Sequence, residues 1–250
     1  MKNNKKVVAT IEARMNATRL PGKVLMPLTG ESILIRIIER LSRSKYIDDI
    51  IVATTINPKD DAIEKVCRAD GYKFYRGSEE NVLSRILEAA EICQAEIIVQ
   101  GMADSPMVDW RIVDYLINTL ADGGYDYASN ELEEGFPIGF DVRVFPYLVL
   151  KQVKKLATDP EHHEHASLYI YQHPERYKLF SWRGKGKMNW PELRLTLDTP
   201  EDYELISKVY NALMPAKPDF SAEDVVDYLR NKPQLYNINQ HVKQKVPYKK

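Results

Sequence analysis

The chain has 250 residues, a length at which α/β proteins often fold as one unit around a continuous core. Its 35 Lys and Arg residues nearly balance 36 Asp and Glu residues, so no overall field would draw it to nucleic acid or to a membrane surface. Charged residues follow the first apolar run too soon for a signal peptide, and no run of 18 apolar residues occurs. We therefore expect a cytoplasmic protein that has neither a membrane nor a nucleic acid as a partner.

The first half of the chain alternates short apolar strands with segments whose apolar residues recur at helical spacing. The predicted strands are 7–12, 49–54, 73–75 and 97–100, and the predicted helices are 33–41, 60–70, 79–93 and 109–120. Such alternation is typical of parallel βαβ units, in which ligands bind beyond the carboxyl ends of the strands. The sequence therefore predicts an α/β fold with a doubly wound, mostly parallel sheet flanked by helices.

The second half is less regular and predicts an inserted substrate-recognition region at about 125–190. Short strands are expected at 125–129, 141–145, 177–182 and 193–197, and amphipathic helices at 201–213 and 222–231. Residues 233–250 are polar and basic without a clear period, so we expect a loosely packed or partner-dependent tail. The prediction is one domain over residues 1–232, followed by this tail.

A basic loop follows the first predicted strand and reads EARMNATRLPGK at 12–23. It places Arg14, Arg19 and Lys23 where the phosphates of a nucleotide would lie. A triphosphate carries about four negative charges near neutral pH and needs several converging donors. Charge alone equally suits a solvated surface loop. Neither the P-loop pattern nor the Rossmann glycine pattern occurs, so those two nucleotide sites lose their main support.

The loop resembles the A-R-x-x-S-T-R-L-P-G-K signature of cytidylyltransferases that activate 3-deoxy-octulosonate and related acidic sugars. It is more similar still to the spore-coat polysaccharide protein F branch of that superfamily. Further strings similar to the family follow in the same order across residues 7–210: IVATT (51–55), YRGSEENVL (75–83), ADSP (103–106), GFDVRVF (139–145), EHASLYIY (164–171) and LTLDTPED (195–202).

This resemblance implies an enzyme that transfers CMP from CTP to an acidic sugar or related small acceptor in cell-surface or spore-coat polysaccharide biosynthesis, releasing pyrophosphate. It implies that Arg14 and Lys23 hold the triphosphate with help from Arg19. The base and ribose would lie among Ala13, Thr54, Arg76, Gly77 and Ser78. It also implies a homodimer, with the 125–190 region serving acceptor binding and dimerisation.

Two aspartates follow predicted strands and are candidates for binding Mg²⁺, which CMP transfer requires for charge neutralisation. Asp104 follows strand 97–100, and Asp198 follows strand 193–197 and precedes a helix start. From the residues alone, Asp198 or Thr199 could simply cap that helix. The resemblance implies that Asp104 and Asp198 form a magnesium pair and act in catalysis with Arg14 and Lys23. The family usually has Gly before the first aspartate, where this chain has Ala103.

The acceptor side is expected to include Asp141 and His165. The HHEH run at 162–165 lacks the spacing of a zinc site, and a surface cluster at a helix start is the ordinary alternative. The resemblance to the family's E-H-V-T element maps onto Glu164–Ser167 and implies that His165 and Asp141 face the acceptor. His165, Asp141 and a metal-bound water all remain open as the general base.

Other assignments are weighed against this one. A pyrophosphorylase for other nucleotide sugars would favour a Gly-rich loop, but this loop contains only Gly22. A metal-dependent glycosyltransferase would need a D-x-D motif at a strand end, which ADSP does not supply. A non-catalytic nucleotide-binding homologue is disfavoured because the loop cations and both aspartates are present.

Overall fold

A computed structural model of the chain describes residues 1–244. The strands are β1 (Val7–Glu12), β2 (Pro27–Leu28), β3 (Glu31–Ser32), β4 (Asp49–Thr55), β5 (Lys73–Gly77), β6 (Ile97–Met102), β7 (Tyr127–Ser129), β8 (Arg143–Pro146) and β9 (Leu179–Ser181). The α-helices are α1 (Ile33–Leu41), α2 (Asp61–Ala69), α3 (Val82–Ile92), α4 (Trp110–Gly123), α5 (Tyr147–Leu156), α6 (Pro160–Glu164), α7 (Leu168–Gln172), α8 (Pro200–Leu213), α9 (Ala222–Arg230) and α10 (Pro233–Tyr236). No helix within the described part is long and apolar enough to cross a membrane.

Seven strands form the main sheet in the order β5-β4-β1-β6-β8-β7-β9. The first four are parallel, while β8 runs antiparallel to β6 and β7, and β9 is parallel to β7. The chain builds outward from β1 through β4 to β5 and then returns to place β6 on the other side of β1. Strand order therefore reverses between β1 and β6, which is where open α/β sheets bind ligands. The predicted α/β fold with a mostly parallel, helix-flanked sheet is confirmed.

The pleat of β1 divides the core between the two faces of the sheet. Val7, Ala9 and Ile11 belong to a buried cluster with residues of α1, α4, α8 and α9, whereas Val8 belongs to a cluster with residues of α3, α5 and α7. Both faces of β1 are thus covered, which accounts for its nearly continuous run of apolar residues. This buried central strand places Glu12 and the loop after it at the carboxyl end of the sheet.

The strand predicted at 193–197 is wrong. Arg194 forms only an isolated bridge with Ile138, although Leu193, Leu195 and Leu197 are all buried. The amide of Leu195 donates to the Ile138 carbonyl (2.7 Å), and the amide of Leu197 donates to the Asp104 carbonyl (2.7 Å). The alternating leucines pack into the core, but their backbone binds loops rather than a neighbouring strand of the sheet.

The C-terminal tail, expected to be loosely packed or partner-dependent, is anchored at one buried residue within 233–244. This part begins with α10, and the side chain of Asn239 is buried. Its amide donates to the Arg194 carbonyl (3.0 Å) and to Asp202 Oδ1 (2.8 Å). Residues 245–250 of the predicted tail lie outside the described residues.

Candidate active site

A cleft of about 510 Å³ opens at the carboxyl ends of β1 and β6, where the strand order reverses. Its lining contains most of the residues that the sequence assigned to a site: Ala13, Arg14, Arg19, Lys23, Asp104, Asp141, His165 and Asp198. These residues come from the loop after β1, the turn after β6, the 138–141 loop, the end of α6 and the turn before α8. The fold therefore brings distant motifs of the sequence into one cavity.

The basic loop after β1 turns back on itself before it reaches Lys23. The Gly22 amide donates to the Met15 carbonyl (2.9 Å), and Gly22 has a left-handed φ of 74°, a conformation that suits glycine. A short 3₁₀ turn begins at Lys23, whose side chain is only 11% exposed. The loop thereby directs the Lys23 ammonium into the cleft instead of leaving it in solvent.

The Lys23 ammonium lies between the two aspartates. Its Nζ is 2.9 Å from Asp198 Oδ1 and 3.4 Å from Asp104 Oδ2, and it donates to the Leu197 carbonyl at 2.6 Å. Both carboxylates therefore converge on a single cationic position.

Asp198 is the more strongly held of the two carboxylates. Besides Lys23, it pairs through Oδ2 with Arg194 (2.7 Å) and Arg19 (3.0 Å). Burial alone would raise the pKa of Asp198, but Lys23, Arg194 and Arg19 together lower the pKa below its usual value. Asp198 is consequently held ionised near neutral pH.

Thr199, rather than Asp198, caps helix α8. The Thr199 side chain accepts a hydrogen bond from the Asp202 amide, and the Asp202 side chain accepts one from the Thr199 amide, forming a capping box. This resolves the alternative left open by the sequence. The Asp198 carboxylate is not needed as the helix cap and is available to the cleft.

The two carboxylates could contribute to a divalent-cation site whose other ligands come from the substrate. Mg²⁺ is usually bound by one or two carboxylates together with phosphate and water oxygens. Within residues 1–244, no group of three or more His, Cys, Asp and Glu side chains is arranged to hold a metal. A divalent cation at Asp104 and Asp198 would therefore depend on oxygens from the nucleotide and from water.

The far side of the cleft contains a partly buried cluster formed by Glu131, Asp141 and Arg143. Arg143 forms a two-pronged ion pair with Glu131, with distances of 2.5 and 2.8 Å. Burial, reinforced by the negative charge of Glu131, raises the pKa of Asp141 to about 7. The Gly139 amide donates to Asp141 Oδ2 at 3.2 Å. Asp141 is thus a carboxyl group whose charge changes near neutral pH, and Glu131 and Arg143 belong to the same site.

His165 and Glu164 stand at the end of α6 on the same side of the cleft. Burial lowers the pKa of His165, which favours the neutral imidazole. Glu164 pairs with Arg14 at 3.2 Å, and each of these side chains is 41% exposed. This exposed pair joins the basic loop to α6 across the cleft. Because solvent screens an exposed ion pair, the pair is weak and Arg14 can exchange its partner for a ligand.

The predicted contacts to base and ribose are not all brought to the cleft. Arg76 pairs with Asp61 (2.6 Å) and Glu64 (2.9 Å), and it also donates to the carbonyls of Thr55 and Asn57. Its guanidinium thus holds α2 to the end of β4. The other three, Thr54, Gly77 and Ser78, do not line the cleft either.

Comparison with known proteins gives the family. A family model described as cytidylyltransferase matches residues 8–228. The spore coat polysaccharide biosynthesis protein SpsF of Bacillus subtilis is 33% identical over 232 residues, which cover 91% of this chain and 95% of that protein. This chain belongs to the cytidylyltransferase family. The resemblance drawn from the motifs is confirmed, and with it the assignment as a nucleotidyltransferase.

Solved structures agree with this membership. A cytidylyltransferase from Leptospira borgpetersenii has a TM-score of 0.87 at 29% identity, over 97% of this chain and 99% of that one. A CMP:2-keto-3-deoxy-manno-octonic acid synthetase complexed with CTP has a TM-score of 0.63 at 19% identity, over 82% and 98% of the two chains. The second match shows that this cytidylyltransferase shares the synthetase's fold.

Several polar residues of the cleft were not found by the sequence reasoning. Glu12 and Gln100 end the apolar runs of β1 and β6, and the Gln100 side-chain amide donates to Glu12 Oε1 at 2.5 Å. Arg85 is 2% exposed and donates to the carbonyls of Ala53 and Ser78. For Glu12 and Gln100, the sequence signal was a polar residue directly after a run of mostly apolar residues. Arg85 gave no comparable signal, because its role depends on partners that are distant in sequence.

Proposed function

We propose that this cytidylyltransferase transfers CMP from CTP to an acidic sugar or related small acceptor, in a magnesium-dependent reaction that releases pyrophosphate. The observation that carries the proposal is the convergence of Lys23 and Arg19 with Asp104 and Asp198 in one cleft. Cations and metal-binding carboxylates are both needed where a triphosphate is held and its leaving group develops charge.

In this reaction an acceptor oxygen bonds to the α-phosphorus of CTP while the bond from that phosphorus to the pyrophosphate oxygen breaks. Arg14, Arg19 and Lys23 would bind the triphosphate, with Ala13 letting the nucleotide approach the loop backbone. Asp104 and Asp198 would hold Mg²⁺, which when bound neutralises charge on the bridging and leaving oxygens. Lys23 already pairs with both carboxylates and offsets part of their negative charge, so it keeps them together until CTP and the metal bind.

The acceptor side would be formed by Asp141 and His165, with Arg143 supplying a partly buried cation that is paired with Glu131. The neutral imidazole favoured at His165 could accept a proton from an attacking hydroxyl. The name of the Bacillus subtilis relative supports placing the product in cell-surface or spore-coat polysaccharide biosynthesis.

We further propose that the enzyme works in the cytoplasm, where CTP is available, and as a homodimer. In the predicted dimerisation region, α5 leaves Leu148 73% exposed and Leu156 36% exposed, so both side chains are accessible to a second copy of the chain. Light scattering after gel filtration should give twice the chain mass, and Leu148→Lys should shift the equilibrium toward the monomer. A wild-type protein that stays monomeric at all concentrations tested would exclude the dimer.

The reaction is tested by pyrophosphate release from each of the four NTPs with Mg²⁺ and a panel of acidic sugars. Release should require CTP and one acceptor, and it should be lost in Asp104→Asn and strongly reduced in Arg14→Ala. Magnesium-dependent CTP binding without turnover would mean that the panel lacks the acceptor. No binding of CTP would contradict the proposal and favour a non-catalytic homologue or another nucleotide.

A further inference from the structure

Arg194 is a buried cation beside Asp198 whose role the CTP reaction does not by itself explain. The residue is 3% exposed, and its Nη2 lies 2.7 Å from Asp198 Oδ2. The same guanidinium donates through Nε and Nη2 to Asp202 at 2.9 and 3.0 Å. Because Arg194 holds Oδ2, the other oxygen of Asp198 is left facing Lys23 and the cleft. The two-pronged contact with Asp202 fixes the plane of the guanidinium and thus the direction from which it holds Asp198.

Asp202 fixes the backbone at the same point. Its Oδ2 accepts hydrogen bonds from the amides of Asp198 (2.9 Å) and Thr199 (3.0 Å), and the residue has no exposed surface. Asp198 is therefore held twice, through its amide by Asp202 and through its carboxylate by Arg194. Asp104, by contrast, is 31% exposed, and its carboxylate is held by contacts of 3.4 Å to Lys23 and Ser105.

Two residues of the C-terminal segment, Asn239 and Gln244, also contact Arg194 or Asp202. Asn239 is 1% exposed and joins the Arg194 carbonyl to Asp202 Oδ1 through its side-chain amide. Among the described residues its own Oδ1 has no hydrogen-bond partner, a cost that its two donated bonds must offset. Gln244, which lines the cleft, accepts from Arg194 Nη1. The family match ends at residue 228, so both contacts come from beyond it.

We propose that Arg194, Asp202 and Asn239 are positioning residues that hold Asp198 in the orientation needed to bind the divalent cation with CTP. The 233–244 segment is thereby part of the active site. The inference rests on the proposed function, since it assumes that Asp198 binds a metal. Partners behind a metal ligand fix its orientation, and removing one typically lowers metal affinity or activity 10- to 100-fold.

The test is Asn239→Ala in the full chain, with Mn²⁺ as a probe ion counted by the EPR signal of the free metal after subtraction of the Mn²⁺ that CTP alone binds. In the presence of CTP, the variant should bind Mn²⁺ about 10- to 100-fold more weakly than the wild type. Its kcat should fall by a similar factor, and raising the metal concentration should partly restore it. Asn231→Ala is the matched control, because this residue is exposed and its side-chain amide donates to the Asp227 carbonyl of α9, away from Arg194 and Asp202.

Arg194→Lys separates positioning from simple charge. The ammonium keeps the positive charge beside Asp198 but cannot bridge Asp198 and Asp202 with a planar fork, so Mn²⁺ affinity should fall although the charge is retained. Circular dichroism and thermal unfolding show whether each variant is folded. If Asn239→Ala is unstable, Gln244→Ala replaces it as the test. Gln244 is exposed and accepts a hydrogen bond from Arg194, so its loss should still lower Mn²⁺ affinity several-fold.

Wild-type Mn²⁺ affinity and kcat in folded Asn239→Ala and Arg194→Lys would overturn the inference, even if both variants melted at lower temperature. If the wild type binds Mn²⁺ with CTP but transfers CMP to no acceptor of the panel, the acceptor lies outside that panel, while the loss of Mn²⁺ binding in the variants still supports positioning. Failure of the wild type to bind Mn²⁺ with CTP would overturn both.

Discussion

Lys23 and Asp198 form an ion pair of 2.9 Å that joins the loop after the first strand to the turn before α8. Their side chains are 11% and 18% exposed, so solvent screens the pair only partly. Lys23 also reaches Asp104, which makes its ammonium the point where the loop cations meet the two carboxylates. Lys23 thus holds the two negatively charged carboxylates, Asp104 and Asp198, close together until a more highly charged cation replaces it between them.

Replacing Lys23 by Met should lower kcat for pyrophosphate release about 10²- to 10³-fold, the usual loss when one donor to a developing charge is removed. The side chain keeps its length but loses its charge, so the change tests electrostatics more than packing. Lys65→Met is the control, because Lys65 is exposed on α2 outside the cleft. A Lys23→Met enzyme within about threefold of wild type would show that the ammonium is not part of the reaction.

Arg14 and Arg76 should differ in their effect on CTP binding. Arg14 lines the cleft and has a half-exposed partner, so Arg14→Ala should raise the KM for CTP about tenfold or more, the equivalent of one lost charged hydrogen bond. Arg76 is engaged with α2 and the end of β4, so Arg76→Ala should leave this KM within about threefold. Steady-state kinetics at varied CTP measures both. Equal increases of the KM for CTP in the two variants would indicate that Arg76 also contacts the nucleotide.

Gly139→Ala should destabilise the protein by about 3 kcal/mol, because strain and steric conflict add. Gly139 has a φ of +106°, and a Cβ there would lie 2.5 Å from the Leu195 carbonyl carbon and 2.6 Å from the Thr196 amide nitrogen. Gly30→Ala is the matched control, since Gly30 has a φ of +91° but no atom within 4 Å of an added Cβ. It should cost only about 1 kcal/mol. Urea unfolding measures both, and equal costs would mean that the 138–141 loop yields to the added Cβ.

The parallel half of the fold could be predicted from the sequence because its signals are local. Each apolar strand is followed by a segment of helical period, and right-handed crossovers leave few ways to arrange them. The 193–197 segment shows the limit of such reasoning. Leu193, Leu195 and Leu197 alternate as in a strand and are buried as a strand would require, but their backbone partners lie in loops around residues 104 and 138. A pattern of side chains does not specify where backbone hydrogen bonds go.

The site was predictable where a motif carried it and not where it depends on packing. The loop motif and the resemblance pointed to Lys23, Asp104 and Asp198. The fold places both carboxylates within 3.4 Å of Lys23 Nζ. Arg194 and Asn239 were missed, because an Arg in an apolar run and an Asn in a polar tail show no chemistry until folding places them together. Asp141 was predicted, although its titration near neutral pH required the burial that only the fold provides.

Asp141 should make stability depend on pH in a direction opposite to that of a carboxylate whose pKa is lowered on folding, such as Asp198. Burial, with the charges of Glu131 and Asp104, raises its pKa to about 7, and the pull of Arg143 in the other direction does not compensate. The folded protein therefore binds this proton more tightly than the unfolded chain does. Stability from this group is fully present below its ordinary pKa near 4 and is lost as the pH rises toward 7.

The comparison of wild type with Asp141→Asn isolates this group, since Asn keeps an oxygen for the Gly139 amide but does not titrate. Urea unfolding of both proteins at pH 5 and pH 8 gives four free energies. Between these pH values the wild type should lose about 2–3 kcal/mol relative to the variant. Other groups with shifted pKa values, such as Glu12, are common to both proteins and cancel in the difference. A difference that does not change with pH would place the titration of Asp141 in its ordinary acidic range, and the Gly139 hydrogen bond and Arg143 would then balance the effect of burial.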